Sequence, residues 1–156
     1  LPDRERGELH SIATEHERTL FFDYLPLDLG GKTGFTIRYQ LYTVPGQPTY
    51  ERTRQAVLTG ADGIVFVADA QADRLPDNQA SLEELRQNLG RQGRPLESMP
   101  LVMQYNKMDQ PTAMSRADLD RHLNPAGVPA FESVAITGTG VIETLRTICQ
   151  LVTRAL

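Results

Sequence analysis

Leu101-Val102-Met103-Gln104-Tyr105-Asn106-Lys107-Met108-Asp109 is the stretch on which the reading of this chain turns. Its first five residues form an apolar run short enough for a buried strand. The four that follow suit guanine recognition. An Asp carboxylate accepts from two neighbouring N–H donors on the guanine edge, N1–H and the 2-amino group, and adenine presents no such pair. The Lys stem lies along a flat base, and the Asn braces adjoining loops. Position strengthens the signal, because ligands of open α/β sheets bind at the carboxyl ends of strands. The plainer alternative is a turn in which Asp109 opens a short polar loop before Pro111.

Downstream and upstream of this stretch, strands and helices alternate. Gly63 to Asp69 is nearly all apolar, the pattern of a strand covered on both faces. Asp77 to Leu89 is an amphipathic helix with Leu82, Leu85 and Leu89 on one side and Gly90 beyond its end. Ser115 to Leu123 is a short helix with Ser115 as N-cap, Ala130 to Ile136 a last strand, and Gly140 to Leu156 a last helix. Toward the N-terminus, Thr49 to Leu58 is helical, with Gly60 as its stop. Phe35 to Val44 alternates as a strand, and Thr19 to Tyr24 is a shorter one. Pro26, Asp28, Gly30, Gly31 and Gly34 between them suggest an antiparallel hairpin with a longer loop. Leu1 to His16 is polar, lacks periodicity and is expected to be a loop. The whole predicts a single α/β domain over residues 1–156: a mostly parallel sheet, one antiparallel hairpin, and helices on both faces.

Composition narrows the function classes. The 156 residues are 40% apolar and 23% charged with a net charge of -4, an ordinary globular balance. Mild acidity and the lack of a Lys/Arg run argue against nucleic acid. No apolar stretch approaches the roughly 20 residues of a membrane span, which argues against membrane insertion. One cysteine, Cys149, forms no internal disulfide, so a reducing, cytoplasmic setting is expected. It falls with Val141, Leu145, Ile148 and Val152 on an amphipathic pattern and reads as a packed core thiol. His10, His16 and His122 lack metal-ligand spacing.

Three further segments bear on chemistry. Thr43-Val44-Pro45-Gly46-Gln47 closes a strand. Gly46 lets a backbone N–H approach a γ-phosphate, and Gln47 can orient an attacking water; a bare Pro-Gly turn explains the same residues. Arg18-Thr19 sits where the first loop meets the first strand. The Thr hydroxyl suits a Mg²⁺ shell and the Arg suits transition-state charge, although both residue types are common at such places. Ala135-Ile136-Thr137-Gly138 offers backbone N–H groups to a base carbonyl, or is simply a strand exit into the last helix. Gly30-Gly31-Lys32-Thr33 is not a phosphate loop: the required earlier glycine is Pro26, and the flanks form a hairpin rather than a strand and a helix.

Glu17-Arg18-Thr19-Leu20-Phe21-Phe22-Asp23-Tyr24-Leu25-Pro26-Leu27-Asp28, Leu41-Tyr42-Thr43-Val44-Pro45-Gly46-Gln47 and Asp62-Gly63-Ile64-Val65-Phe66-Val67-Ala68-Asp69 together resemble the MglA family, bacterial Ras-like small GTPases of polarity and gliding motility. The resemblance spans nearly the whole chain. It implies a Ras-like fold that switches between GDP and GTP forms and hydrolyses GTP with Mg²⁺. Arg18 then matches the family's intrinsic arginine finger, Thr19 its Mg²⁺-associated switch threonine, and Gly46 and Gln47 its second switch with the water-positioning glutamine. Asn106, Lys107 and Asp109 match the guanine-specificity motif, and Ala135 and Ile136 the loop beside the base. Thr43 stands where most Ras-like proteins carry Asp, which is itself a trait of the family. The implied partners are an MglB-like Roadblock-domain activator and downstream polarity and motility effectors, and the implied location is a cell pole.

One departure from the family is large. Its opening strand, P-loop and first helix have no counterpart in this sequence, which starts at Leu1 rather than Met. A working protein is therefore expected to carry roughly 30 to 40 further N-terminal residues, one βα unit and a loop. The rival expectation is a non-catalytic pseudo-GTPase, a protein-interaction module without nucleotide binding.

Overall fold

The computed structural model of the chain describes residues 10–12, 22–30, 36–44 and 51–156. They divide into two units, Leu1–Gly60 and Ala61–Leu156.

The first unit holds an antiparallel sheet in the order β1 (His10–Ile12), β2 (Phe22–Gly30), β3 (Thr36–Tyr42), followed by α1 (Glu51–Thr59). β2 and β3 form the expected hairpin, in register from Tyr24 opposite Tyr42 to Gly30 opposite Thr36. The hairpin differs from the sequence reading in one respect. Pro26 and Asp28 belong to β2, opposite Gln40 and Arg38, so the connection is shorter than expected. β1 pairs only with Phe22 to Tyr24. The expected N-terminal loop contains β1 itself, which its polar composition did not announce.

The second unit is a parallel sheet in the order β4 (Ile64–Asp69), β5 (Leu101–Asn106), β6 (Ala130–Glu132), with α2 (Leu75–Arg91), α3 (Arg116–Leu123) and α4 (Val141–Ala155). β5 is central, and Val102, Met103, Gln104 and Tyr105 are all buried. Four consecutive buried residues require cover on both faces. Tyr105 points toward α3, where its hydroxyl donates to Asp120 Oδ1 at 2.7 Å. Alternation then sends Val102 and Gln104 to the opposite face, the one that α4 covers. Gly63, in the same alternation with Val65 and Val67, packs against Ile148 and Val152 of α4. β4 is an edge strand here, and its cover is incomplete: Val67 is 54% exposed, so its apolar sequence is not matched by burial on both faces.

Local chemistry explains the boundaries. Ser115 caps α3 by accepting from the Asp118 N–H. α2 runs through Gly90 and stops where Gly93, with φ of 70°, takes the left-handed conformation, so Gly93 and not Gly90 ends it. β6 is shorter than expected because the chain turns at once: Thr137 N–H donates to Val134 O and Gly138 N–H to Ala135 O. α4 buries Thr144, Ile148 and Cys149, and burial pushes the Cys149 thiol pKa up, as befits a core thiol. Among the described residues no helix is long and apolar enough to cross a membrane.

Candidate guanine-recognition site

Parallel register brings the carboxyl ends of β4 and β5 together, with Asp69 opposite Asn106. The chain leaving β5 is bound on two sides. On one side lies the turn after β6. Asn106 Oδ1 accepts from the Ala135 N–H at 2.9 Å, and the buried Ser133 hydroxyl lies 3.3 Å from the same oxygen and 3.2 Å from the Tyr105 carbonyl. Ser133 N–H donates to Tyr105 O at 2.7 Å, and Met108 N–H donates back to Ser133 O at 3.2 Å. Asn106 is therefore the brace between two loops that its residue type suggested.

On the other side lies the connection from β4 to α2. Ala70 N–H donates to Asn106 O, Ala72 N–H to Thr112 O, and Met114 N–H to Ala70 O, at 2.8, 3.0 and 2.8 Å. Gln71 Nε2 adds a bond to the Thr112 hydroxyl at 3.2 Å. These bonds strap residues 107–114 to the exit of β4.

Lys107 sits between the two sides. Its φ is 65°, a left-handed conformation that a residue with a Cβ seldom adopts. Its ammonium donates to Asp69 Oδ2 at 2.6 Å. The Lys107 side chain is half exposed and that of Asp69 is 20% exposed. Asp109 is exposed, with one oxygen accepting from Gln110 Nε2 at 3.0 Å. Water and this one neighbouring amide are weak competitors for a carboxylate able to take a bidentate pair.

Of the expected site residues, Asn106, Lys107, Asp109, Ala135 and Ile136 fall on this one end of the parallel sheet. Ala135 spends its N–H on Asn106, whereas the Ile136 N–H has no acceptor among the described residues, and Ile136 is 92% exposed. Arg18, Thr19, Gly46 and Gln47 lie outside the described residues. Among the described residues no group of three His, Cys, Asp or Glu is placed to hold a metal ion, and Thr19, the expected Mg²⁺ ligand, is not one of them. Asp69 is the residue that the reading of side-chain types missed. Its only sequence signal is its place at the end of an apolar strand.

The model of the ADP-ribosylation factor family matches residues 30–152. The chain is 49% identical over 147 residues to the mutual gliding-motility protein MglA of Myxococcus xanthus, covering 94% of this chain and 75% of that protein. It is 33% identical over 138 residues to ADP-ribosylation factor-like protein 4D of Bos taurus, covering 88% of this chain and 64% of that protein. The human protein of the same name is 30% identical over 118 residues, covering 75% of this chain and 55% of its own length. The chain thus spans less than two thirds of those two eukaryotic relatives.

Proposed function

The chain belongs to the ADP-ribosylation factor family of Ras-like small GTPases, of the MglA type, and we propose from this that it binds GTP and GDP through Asn106, Lys107 and Asp109 and works as a hydrolysing switch in bacterial polarity or motility. The observation that carries the base assignment is the hold on Asn106 and Lys107 at the carboxyl end of β5. That hold fixes the loop before any ligand arrives, so little ordering cost remains for the base. Asp109 accepts from guanine N1–H and the 2-amino group, and the Lys107 stem covers the base plane. The Ile136 N–H is the donor suited to the base carbonyl, beside the Ala135 N–H that holds Asn106.

In the same proposal Gln47 orients the attacking water beside Gly46, and Arg18 stabilises the charge developing on the γ-phosphoryl oxygens. Thr19 is the residue of this chain that would join a Mg²⁺ shell, and a bound Mg²⁺ would supply charge neutralisation of the phosphates. The MglB-like Roadblock-domain activator, polar recruitment and motility effectors belong to this reading through the relationship to MglA. The rival, an interaction module without nucleotide binding, leaves the hold on Asn106 and Lys107 unexplained.

The test of the base assignment is competition. In the full-length protein, GDP is expected to displace labelled GDP far better than ADP does. Asp109→Asn is expected to weaken GDP binding by about 2–4 kcal/mol and to improve binding of the xanthine nucleotide, because the amide donates to the added carbonyl. Equal displacement by ADP and GDP in the parent protein rejects the assignment. For hydrolysis, Gln47→Leu and Arg18→Ala should each slow single turnover while nearly preserving GDP affinity, Arg18→Ala by about 10³-fold or more with activator bound. Unchanged rates in both variants reject the assigned roles.

A further inference from the structure

We infer that Asp69 is a positioning residue for guanine recognition, acting through Lys107; the inference rests on the base assignment above. Four hydrogen bonds define its place. The Lys107 ammonium donates to Asp69 Oδ2 at 2.6 Å, and the Gln71 N–H donates to Asp69 Oδ1 at 3.1 Å. The Asp69 backbone is clasped by one side chain of α2: its N–H donates to Asn78 Oδ1 at 3.1 Å, and its carbonyl accepts from Asn78 Nδ2 at 2.8 Å. Asn78 is 8% exposed, so the clasp is part of the packed interior rather than a surface contact.

The consequence for Lys107 is mechanical. A lysine stem has many rotamers of similar energy, and ordering one costs free energy when a base binds. Here both ends are fixed. The backbone end is set at φ of 65° by the turn, where Gln110 N–H donates to Lys107 O at 3.0 Å. The ammonium end is set by Asp69. Only the methylene stem between them remains, and it is held as one surface against which a planar base can lie. The arrangement also explains the oxygen bookkeeping at Asp69: one carboxylate oxygen takes a backbone donor, which fixes the carboxylate plane, and the other takes the lysine. An aspartate serving only to shape the turn after β4 needs no lysine, and an ion pair serving only stability gains little from a lysine that is half exposed.

The experiment is a double-mutant cycle on nucleotide affinity in the full-length protein, using GDP and ADP as probes. Asp69→Asn keeps an acceptor for Gln71 and alters the backbone clasp least. It is expected to weaken GDP binding about fivefold to twentyfold, mainly through faster release, and to narrow the GDP-over-ADP ratio. Combined with Lys107→Ala, the same change is expected to cost nothing further, because Asp69 then has no lysine to hold. Asp69→Glu should recover part of the loss. An equal loss in the Lys107→Ala background, or no loss in the parent background, overturns the positioning role while leaving the base assignment intact. A parent protein that binds ADP and GDP alike overturns the base assignment itself.

Discussion

The two flanks of the Asn106–Asp109 loop are held by different physics. The β6 flank is a set of neutral bonds: buried Ser133, the Asn106 amide oxygen, and backbone groups of Tyr105, Met108 and Ala135. The β4 flank has neutral backbone straps of its own, from the Ala70, Ala72 and Met114 N–H groups, but it holds the Lys107 side chain by an ion pair to Asp69, with the lysine half in water. A buried neutral group left without its partner costs its full desolvation, whereas an exposed ion pair gains little from being made. The Ser133 brace is therefore built for stability and the Lys107–Asp69 pair for orientation. The two should separate cleanly when stability and nucleotide affinity are measured side by side.

The largest effect is expected where the β6 flank meets α4. Gly140 has φ of 73°, and a Cβ placed on it collides with the backbone carbonyl of Glu132. The neighbour is main chain and cannot swing away. The same carbonyl precedes Ser133, so any relief must move the residue that supports Asn106. Gly140→Ala should destabilise the protein by about 2–4 kcal/mol, from the left-handed backbone and the overlap together. Urea denaturation of the full-length protein measures it. A loss below about 1 kcal/mol breaks the claim that this flank is the rigid one.

A smaller pair of changes sharpens the contrast. Ser133→Ala removes a buried hydroxyl from between the Tyr105 carbonyl and Asn106 Oδ1 and should cost about 1–2 kcal/mol of stability. Lys107→Gly should cost almost none. It loses the half-exposed ion pair, about 0–1 kcal/mol, and regains about 1 kcal/mol by relieving the left-handed backbone. For affinity the order reverses, with Lys107→Gly the more damaging to GDP binding. Equal stability losses for the two variants remove the distinction between the flanks.

How far the sequence foretold this site follows the same division. Asn106, Lys107 and Asp109 were legible because their side-chain types and their place after an apolar run are local facts. Asp69 was not, because its partner is fixed by the parallel register that sets it opposite Asn106, and register is not written in either segment alone. Ser133 was hidden in the same way: a lone serine near a strand end carries no signal until the turn after β6 folds it under Asn106. Elsewhere the errors came from residues with two uses. Pro26 has the type of a loop residue but lies in β2, and Gly90 has the type of a helix stop but lies inside α2, with Gly93 ending it. Val67 has the apolar neighbours of a doubly covered position, but among the described residues it lies on an edge strand and is half exposed.

The smallest expected effect concerns pH and tests whether the neutral flank is as indifferent to protons as its chemistry requires. None of the groups bracing Asn106 is ionisable, so acid should reach the sheet end only through its surroundings. Two carboxylates with depressed pKa values lie on α3. Asp118 is held below the usual carboxylate range chiefly by the Ser115 hydroxyl, which donates to it at 2.7 Å, and then by Arg121. Burial pushes Asp120 up, but bonds from Tyr105, Arg116 and Asn124 outweigh this and hold it low. A carboxylate whose folded pKa is depressed adds stability that is complete above its unfolded pKa of about 3.9 and is lost as pH falls through the folded value. Stability should therefore be level from neutral pH down to about 4 and decline only below it, as far as these two residues are concerned. Asp118→Asn should shrink that acid decline slightly and leave the neutral-pH denaturation midpoint nearly unchanged, since both its partners lie at the surface. Ser133→Ala should shift the midpoint by the same amount at neutral pH and at about pH 3, because no proton is bound or released at the bond it removes. A Ser133→Ala effect that grows or vanishes in acid places an ionisable group in the brace and breaks the division between the two flanks.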